Sequence, residues 1–370
     1  MKLDFELKTK IKIGYNALKK IDNYNKVLLV CDPFLFKNGA VNNIQGILCP
    51  GAQLIVFDKV QPDPTTEIVA CCVRLMEQYR PDIIIAFGGG SAIDTAKAVK
   101  YIYYKANNED IRLVAIPTTS GTGSEVTDFA VISDKLTNTK NTLIDYLMQP
   151  DIAILDYQYT KTVPKNVTAN TGMDVLTHAF EAYVSTSATD FTDALSEKAV
   201  ELVYEYLPAV VNDGSNELYR SKMHNASCIA GVAFTNASLG ICHSMAHALG
   251  AHFHLPHGLA CGIILPYVIE YNSFKTYEIN IQERYLRLAN VFGISSGSNS
   301  IRINNFISKL QRFEKYLGIC FDLSKLGIDK DEFLIAVPKM ANEALKDRCT
   351  LTNPVKPSLE DIEEIYKKLL

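Results

Sequence analysis

The sequence lacks a basic surplus, with 37 Lys and Arg against 41 Asp and Glu and a formal net charge of −4. Without excess positive charge there is little to neutralise a phosphate backbone, so nucleic acid is not an expected partner. It also lacks any apolar run of about 18 residues, the length a membrane span requires. The opening Met1-Lys-Leu-Asp4 has no basic-then-apolar layout, so neither a membrane nor a signal peptide is expected and the location reads as cytoplasmic. The nine cysteines form no C-x-x-C pair, which argues against a disulfide framework and a cysteine-built zinc site. Nor is there a G-x-G-x-x-G fingerprint in the glycine-rich turn discussed below. Histidine is sparse, but five of the seven fall between His243 and His257.

What is present suits a globular chain of two domains. At 370 residues, with 48% hydrophobic and 21% charged residues, a large core can be buried. The first 155 residues alternate short β-branched runs with helical patterns. Strands are expected at 26–31, 53–57, 82–87, 112–116 and 152–155, and Leu3, Phe5 and Leu7 alternate as in a first strand. Between two of them Val69, Cys72, Val73 and Met76 repeat at helical spacing, so the unit is strand-helix-strand and the sheet parallel. After about residue 160 the strand signals stop and long 3.6-period segments follow, ending in the capping-box pattern Ser358-Leu-Glu-Asp361. The expectation is an α/β domain, 1–160, with a Rossmann-like parallel sheet, followed by an all-α domain, 161–370.

Two loops in the first half suit an anion. Asp82-Ile-Ile-Ile-Ala-Phe-Gly-Gly-Gly-Ser-Ala-Ile-Asp94 runs from an apolar strand through three glycines into a helix. Such a turn lets backbone N–H groups approach a phosphate at a helix start, although it serves equally as a tight turn with no ligand. Pro117-Thr-Thr-Ser-Gly-Thr-Gly-Ser-Glu125 follows the next strand, and loops at the ends of parallel strands share a crevice. Asp32 closes the first long strand, where a carboxylate suits the ribose hydroxyls of NAD and repels the 2′-phosphate of NADP. It is equally a strand-end turn residue.

In the second half, Asp174 and His178 lie four apart, as do His243 and His247, and His257 follows in Leu255-Pro-His-Gly258. Residues at i and i+4 share a helix face, so two helices and a loop can converge on one ion. One carboxylate with imidazoles suits Fe(II) or Zn(II). Spacing alone does not choose among His247, His252, His254 and His257.

These motifs together resemble the iron-containing alcohol dehydrogenase family over the whole chain. They are Phe87-Gly-Gly-Gly-Ser-Ala-Ile-Asp94-Thr-Ala-Lys97, Ile116-Pro-Thr-Thr-Ser-Gly-Thr-Gly-Ser-Glu-Val-Thr127, Pro150 to Asp156, Thr171-Gly-Met-Asp-Val-Leu-Thr-His178, and His243-x-x-x-His247 with Pro256-His-Gly258. Within the family, Phe191 to Lys198, Lys222 to Ser227 and Phe253 to Ala260 are similar to the 1-propanol dehydrogenases of propanediol-utilization microcompartments. The resemblance implies a dehydroquinate synthase-like fold and metal ligands Asp174, His178, His243 and His257, with Fe(II), or alternatively Zn(II), as the ion. It makes His247 a catalytic proton relay rather than a ligand. NAD(H) contacts fall on Asp32, Asp63, Gly89, Gly90, Ser91, Asp94, Thr118, Thr119, Thr122 and Lys140, and a substrate pocket on Phe129, Phe234 and Cys349. The one departure is Cys261-Gly-Ile-Ile-Leu-Pro266, where many relatives carry Asn-Ala at the first two places, and no ligand is expected to be touched.

The implied function is NAD-dependent interconversion of short primary alcohols and aldehydes, run toward aldehyde reduction. The implied assembly is a homodimer, with an aldehyde dehydrogenase or a microcompartment as possible partner. A glycerol dehydrogenase-like enzyme of the same fold and a catalytically silent microcompartment-associated binding protein are the alternatives.

Overall fold

The computed structural model describes residues 4–14, 17, 24–135, 139–275 and 279–370, with 139, 140 and 279 described in backbone only. The chain divides into two compact units, Glu6–Thr162 and Val163–Leu370, with Phe5 belonging to the second, where its ring stacks on Phe191 at 5.3 Å.

The first unit is built on a six-stranded sheet. Its strands are β1 (Lys10–Ile13), β2 (Lys26–Cys31), β3 (Gln53–Phe57), β4 (Ile83–Gly88), β5 (Arg112–Pro117) and β8 (Ile152–Leu155), in the order β1-β8-β5-β4-β2-β3. Every pairing is parallel. All six residues of β4 are buried, because a central strand covered by helices on both faces has no polar side. Helices α1 (Pro33–Lys37), α2 (Val41–Gln45), α3 (Thr66–Tyr79) and α4 (Gly90–Asn107) cover it, and α3 buries Val69, Cys72, Val73 and Met76 as their spacing demands. The expected first strand is displaced. Residues 4–8 form no strand and pairing begins at Lys10, while Leu3 lies outside the described residues. An antiparallel hairpin of β6 (Phe129–Asp134) and β7 (Thr139–Ile144) was not anticipated.

The second unit is helical throughout: α5 (Lys165–Val184), α6 (Asp190–Asn212), α7 (Glu217–Ala237), α8 (Ile241–Phe253), α9 (His257–Phe274), α10 (Ile279–Val291), α11 (Asn299–Leu317), α12 (Lys330–Lys346) and α13 (Leu359–Lys367). The capping box at Ser358 and Asp361 starts α13 as expected. Helix α9 is the correction here, since His257 was expected on a loop and instead begins a helix. Most of α9 is buried, so its apolar residues run all round and leave no periodic stripe to read. Among the described residues no single helix is long and apolar enough to cross a membrane.

Candidate metal centre and cofactor loops

In the first unit the chain runs from β2 outward to β3 and then returns to β4 on the other side of β2. This reversal is the topological switch point where open α/β sheets bind ligands. Cys31 pairs with Phe87, and Gly88 with Pro117, so Asp32, the Gly88–Gly90 turn and Thr118 emerge side by side. The amide of Thr118 donates to the Gly88 carbonyl at 3.0 Å. A Cβ at Gly89 would stand 3.2 Å from Thr119 Oγ1, and one at Gly90 only 2.8 Å from Thr122 Cγ2. Glycine is therefore what lets the two loops close on each other. No side chain caps α4 at Gly89, which leaves its first amides and its dipole for an anion.

The remaining residues matched to the cofactor have varied settings. Asp32 accepts from the Leu35 amide at 3.0 Å as the cap of α1, and Asp63 has a left-handed backbone, φ +53°. Ser91 lies in the first turn of α4. Asp94 turns inward, accepting from Ser124 Oγ at 2.6 Å and the Val131 amide at 3.0 Å. The side chain of Lys140 lies outside the described residues. Lys97 has a role that sequence reading missed. Fully buried, it donates to Ser124 Oγ, Thr127 Oγ1 and the Phe129 carbonyl at 2.8, 2.8 and 2.9 Å. It thus ties α4 to the threonine-rich loop and to β6. Burial pushes its pKa down to about 8 against the pull of Asp94.

In the second unit α5, α8 and α9 converge. Asp174 Oδ1 lies 3.3 Å from His257 Nε2, 3.6 Å from His243 Nε2 and 3.8 Å from His178 Nε2. Asp174 Oδ1 and His243 Nε2 are buried and have no hydrogen-bond partner among the described residues. Burial opposes ionisation of Asp174, but the facing imidazoles hold its carboxyl well below the usual range. Burial takes His178 down to about 3. For His243 burial also lowers the pKa, yet Asp174 and Glu181 outweigh it and raise it to about 9.

A cluster of inward-facing donor atoms without partners is the arrangement a cation relieves. Two N or O donors about 2.0 to 2.1 Å from one tetrahedral ion stand roughly 3.3 Å apart, close to the Asp174–His257 separation. The residues present therefore fit a divalent ion. The side chains of His178 and His243 are 6% and 1% exposed, whereas those of His257 and His247 are 38% and 39% exposed, so the centre opens on the His257–His247 side.

The supporting residues are equally specific. Glu181, one turn beyond His178 on α5, accepts from the Cys242 amide at 2.6 Å and the His243 amide at 3.3 Å, and lies 2.5 Å from His243 Nδ1. It caps α8 and orients a ring in that helix at once. A Cβ at Gly240 would stand 2.8 Å from Glu181 Oε1, so glycine makes room for this approach. Gly258 does the same for α9, since a Cβ there would fall 2.0 Å from the Asn170 carbonyl oxygen.

His247 does not join the Asp174 cluster. Its Nδ1 is 2.8 Å from Asp347 Oδ2, with Cys349 completing the group. His252 and His254 are exposed at the C-terminal end of α8. Of the residues matched to the substrate pocket, Phe234 stacks on His178 at 4.3 Å, Cys349 donates its amide to Asp347 at 2.8 Å, and Phe129 belongs to β6 of the other unit. Cys261, where the chain departs from the family pattern without replacing a matched ligand, stands beside one of them: its Sγ lies 3.6 Å from His257 Nε2. One helical turn separates them, and the i, i+4 spacing that paired the other residues was available here too.

Comparison with known proteins agrees with this geometry. Residues 8–157 match the family profile described as "Iron-containing alcohol dehydrogenase", and residues 168–370 match "Fe-containing alcohol dehydrogenase family, C-terminal". The chain is 40% identical to the 1-propanol dehydrogenase PduQ of Citrobacter freundii, over 99% of each chain. It is 39% identical to an NADPH-dependent butanol dehydrogenase of Clostridium saccharobutylicum, over 98% of this chain and 97% of the relative. Among solved structures, a 1,3-propanediol oxidoreductase superimposes with a TM-score of 0.92 at 32% identity, over 100% of both chains.

Proposed function

The chain belongs to the iron-containing alcohol dehydrogenase family, and from that premise we propose that it interconverts propanal and 1-propanol, or acetaldehyde and ethanol, running toward aldehyde reduction with NADH recycling. It is a metal-dependent, NAD-dependent oxidoreductase of short alcohols and aldehydes. The observation that carries the reading is the set of unpartnered donor atoms around Asp174. We assign cofactor binding to residues 1–160 and metal binding and catalysis to 161–370.

In this reading Asp174, His178, His243 and His257 hold the ion, with Asp174 the only carboxylate among them. When bound, the ion supplies Lewis acidity toward an alcohol oxygen, and the nicotinamide accepts or donates the hydride. The glycine turn and Thr118, Thr119 and Thr122 cradle the cofactor phosphates. Asp32, Asp63, Asp94 and Lys140 complete the proposed cofactor contacts. Phe234 and Cys349 are assigned to an apolar pocket for a short alkyl chain, and Phe129 carries the same assignment from the resemblance alone.

His247 moves the proton. A carboxylate only accepts, so the Asp347 contact keeps the hydrogen on Nδ1 and leaves Nε2 free to take a proton and pass it on. The support is the 2.8 Å pairing and the partial exposure of the ring.

We further propose a homodimer acting beside an aldehyde dehydrogenase or within a microcompartment. Light scattering and co-purification test these points. For the activity, anaerobically purified protein with its metal content measured is assayed by NADH absorbance with propanal, and glycerol is compared in the oxidative direction. Consumption of NADH with propanal supports the reading. No turnover by protein carrying one ion per chain overturns it, and a preference for glycerol would transfer the assignment to a polyol. In His247→Gln, an unchanged rate and pH profile with metal fully bound would remove the proton-relay role.

A further inference from the structure

Cys261 sits on α9 four residues after His257, so the two share a face. Its side chain is fully buried, and its Sγ stands 3.6 Å from His257 Nε2. Ligand atoms of Asp174, His243, His257 and Cys261 all lie within 4.8 Å of one another. Two atoms of that group, Asp174 Oδ1 and His243 Nε2, are buried and without a hydrogen-bond partner among the described residues. His178 falls outside this tight group, although its Nε2 faces Asp174 at 3.8 Å. In the five-donor shell that Cys261 would complete, sulfur at about 2.3 Å and nitrogen at about 2.0 to 2.1 Å from one ion share an edge of roughly 3.1 to 3.8 Å. The separation observed between Cys261 and His257 matches that edge.

Resting on the metal-centre reading above, we infer that Cys261 is a further ligand of the ion, giving this chain a sulfur donor beside its carboxylate and imidazoles. On loading, the Sγ–H bond breaks, its proton passes to solvent, and a sulfur–metal bond forms; no oxidant or reductant takes part. A thiolate is softer than any other donor in the set, and it biases the centre toward zinc. The competing arrangement is a thiol that only hydrogen-bonds to the His257 ring.

X-ray absorption of the zinc-loaded full chain separates these. One sulfur scatterer at about 2.3 Å is expected. Bound zinc with only nitrogen and oxygen neighbours overturns the inference and leaves the metal centre standing, whereas a chain that binds no zinc overturns the metal-centre reading itself. With Co(II) in place of zinc, the wild type should show a thiolate-to-cobalt charge-transfer band in the near ultraviolet. Cys261→Ala should lose that band while still holding one cobalt per chain, and a band that persists in the variant overturns the assignment. Should Cys261→Ala fail to fold, the zinc measurement on the wild type decides the matter alone.

Discussion

Glu181 Oε2 lies 2.5 Å from His243 Nδ1, and the same carboxylate accepts from the Cys242 and His243 amides in the first turn of α8. The contact couples the start of a helix to the direction of a metal-facing ring. A carboxylate behind a ligating imidazole sets its tautomer and raises its basicity, and losing such a partner costs roughly 10- to 100-fold in metal affinity. Glu181→Ala should therefore lose metal to a chelator at about 10- to 100-fold lower chelator concentration. Glu181→Gln, which still accepts from the amides, should fall between the two. Equal metal retention in all three proteins would remove Glu181 from the centre.

Gly258→Ala tests whether close helix packing aims His257. The added Cβ would stand 2.0 Å from the Asn170 carbonyl oxygen and 3.2 Å from Asp174 Cβ. Backbone cannot yield as a side-chain tip does, so the start of α9 must shift and carry His257 with it. The expected outcome is a helical protein by circular dichroism with less than one ion per chain. Full metal content at wild-type affinity would show that α9 tolerates the shift.

The Asp347–His247 pair makes a pH prediction. Burial would raise the Asp347 pKa, but the hydrogen bond and charge of His247, with the Cys349 amide, bring it down to about 2. A depressed folded pKa stabilises above the unfolded value and the contribution is lost as pH falls through the folded one. Asp347→Asn should thus be less stable than wild type by about 2 kcal/mol near pH 5, with the gap closing as pH approaches about 2. Urea unfolding across that range measures it, and a gap independent of pH would exclude the ion pair as its cause.

Glu314 on α11 is completely buried, and neither carboxylate oxygen has a hydrogen-bond partner among the described residues. Desolvation alone pushes its pKa well above the ordinary value. With the folded pKa raised, its cost grows as pH climbs above the unfolded value of about 4.3. Glu314→Met should stabilise the protein by about 1 to 3 kcal/mol at neutral pH, and by less as the medium becomes more acidic. Destabilisation at neutral pH in denaturant unfolding would show that the carboxyl has a partner after all.

Much of the architecture is local information. The runs in β2, β3, β4, β5 and β8 are β-branched and short, and the α3 stripe repeats at helical spacing, so each element declares itself within its own window. The same is true of the Asp174–His178 and His243–His247 pairs, because i, i+4 geometry needs only one helix. Helix α9 escaped because burial on every side erases the periodic contrast on which such reading depends. The β6–β7 hairpin escaped because its polar strand, Thr139–Ile144, has no apolar alternation.

What the sequence by itself determined is which chemical groups the chain can offer and on which helical faces they lie: one aspartate, a small set of histidines, and a glycine turn after an apolar strand. Tertiary structure alone decided which of them meet. Asp347 reaches His247 across 100 positions and Glu181 reaches His243 across 62, separations that no local period encodes. Cys261 was visible all along at one turn from His257, yet its closeness to the Asp174 cluster arises only when α5, α8 and α9 pack. Side chains distant along the chain are brought within bonding distance by the burial of apolar faces, and it is that packing which makes a donor set from scattered residues.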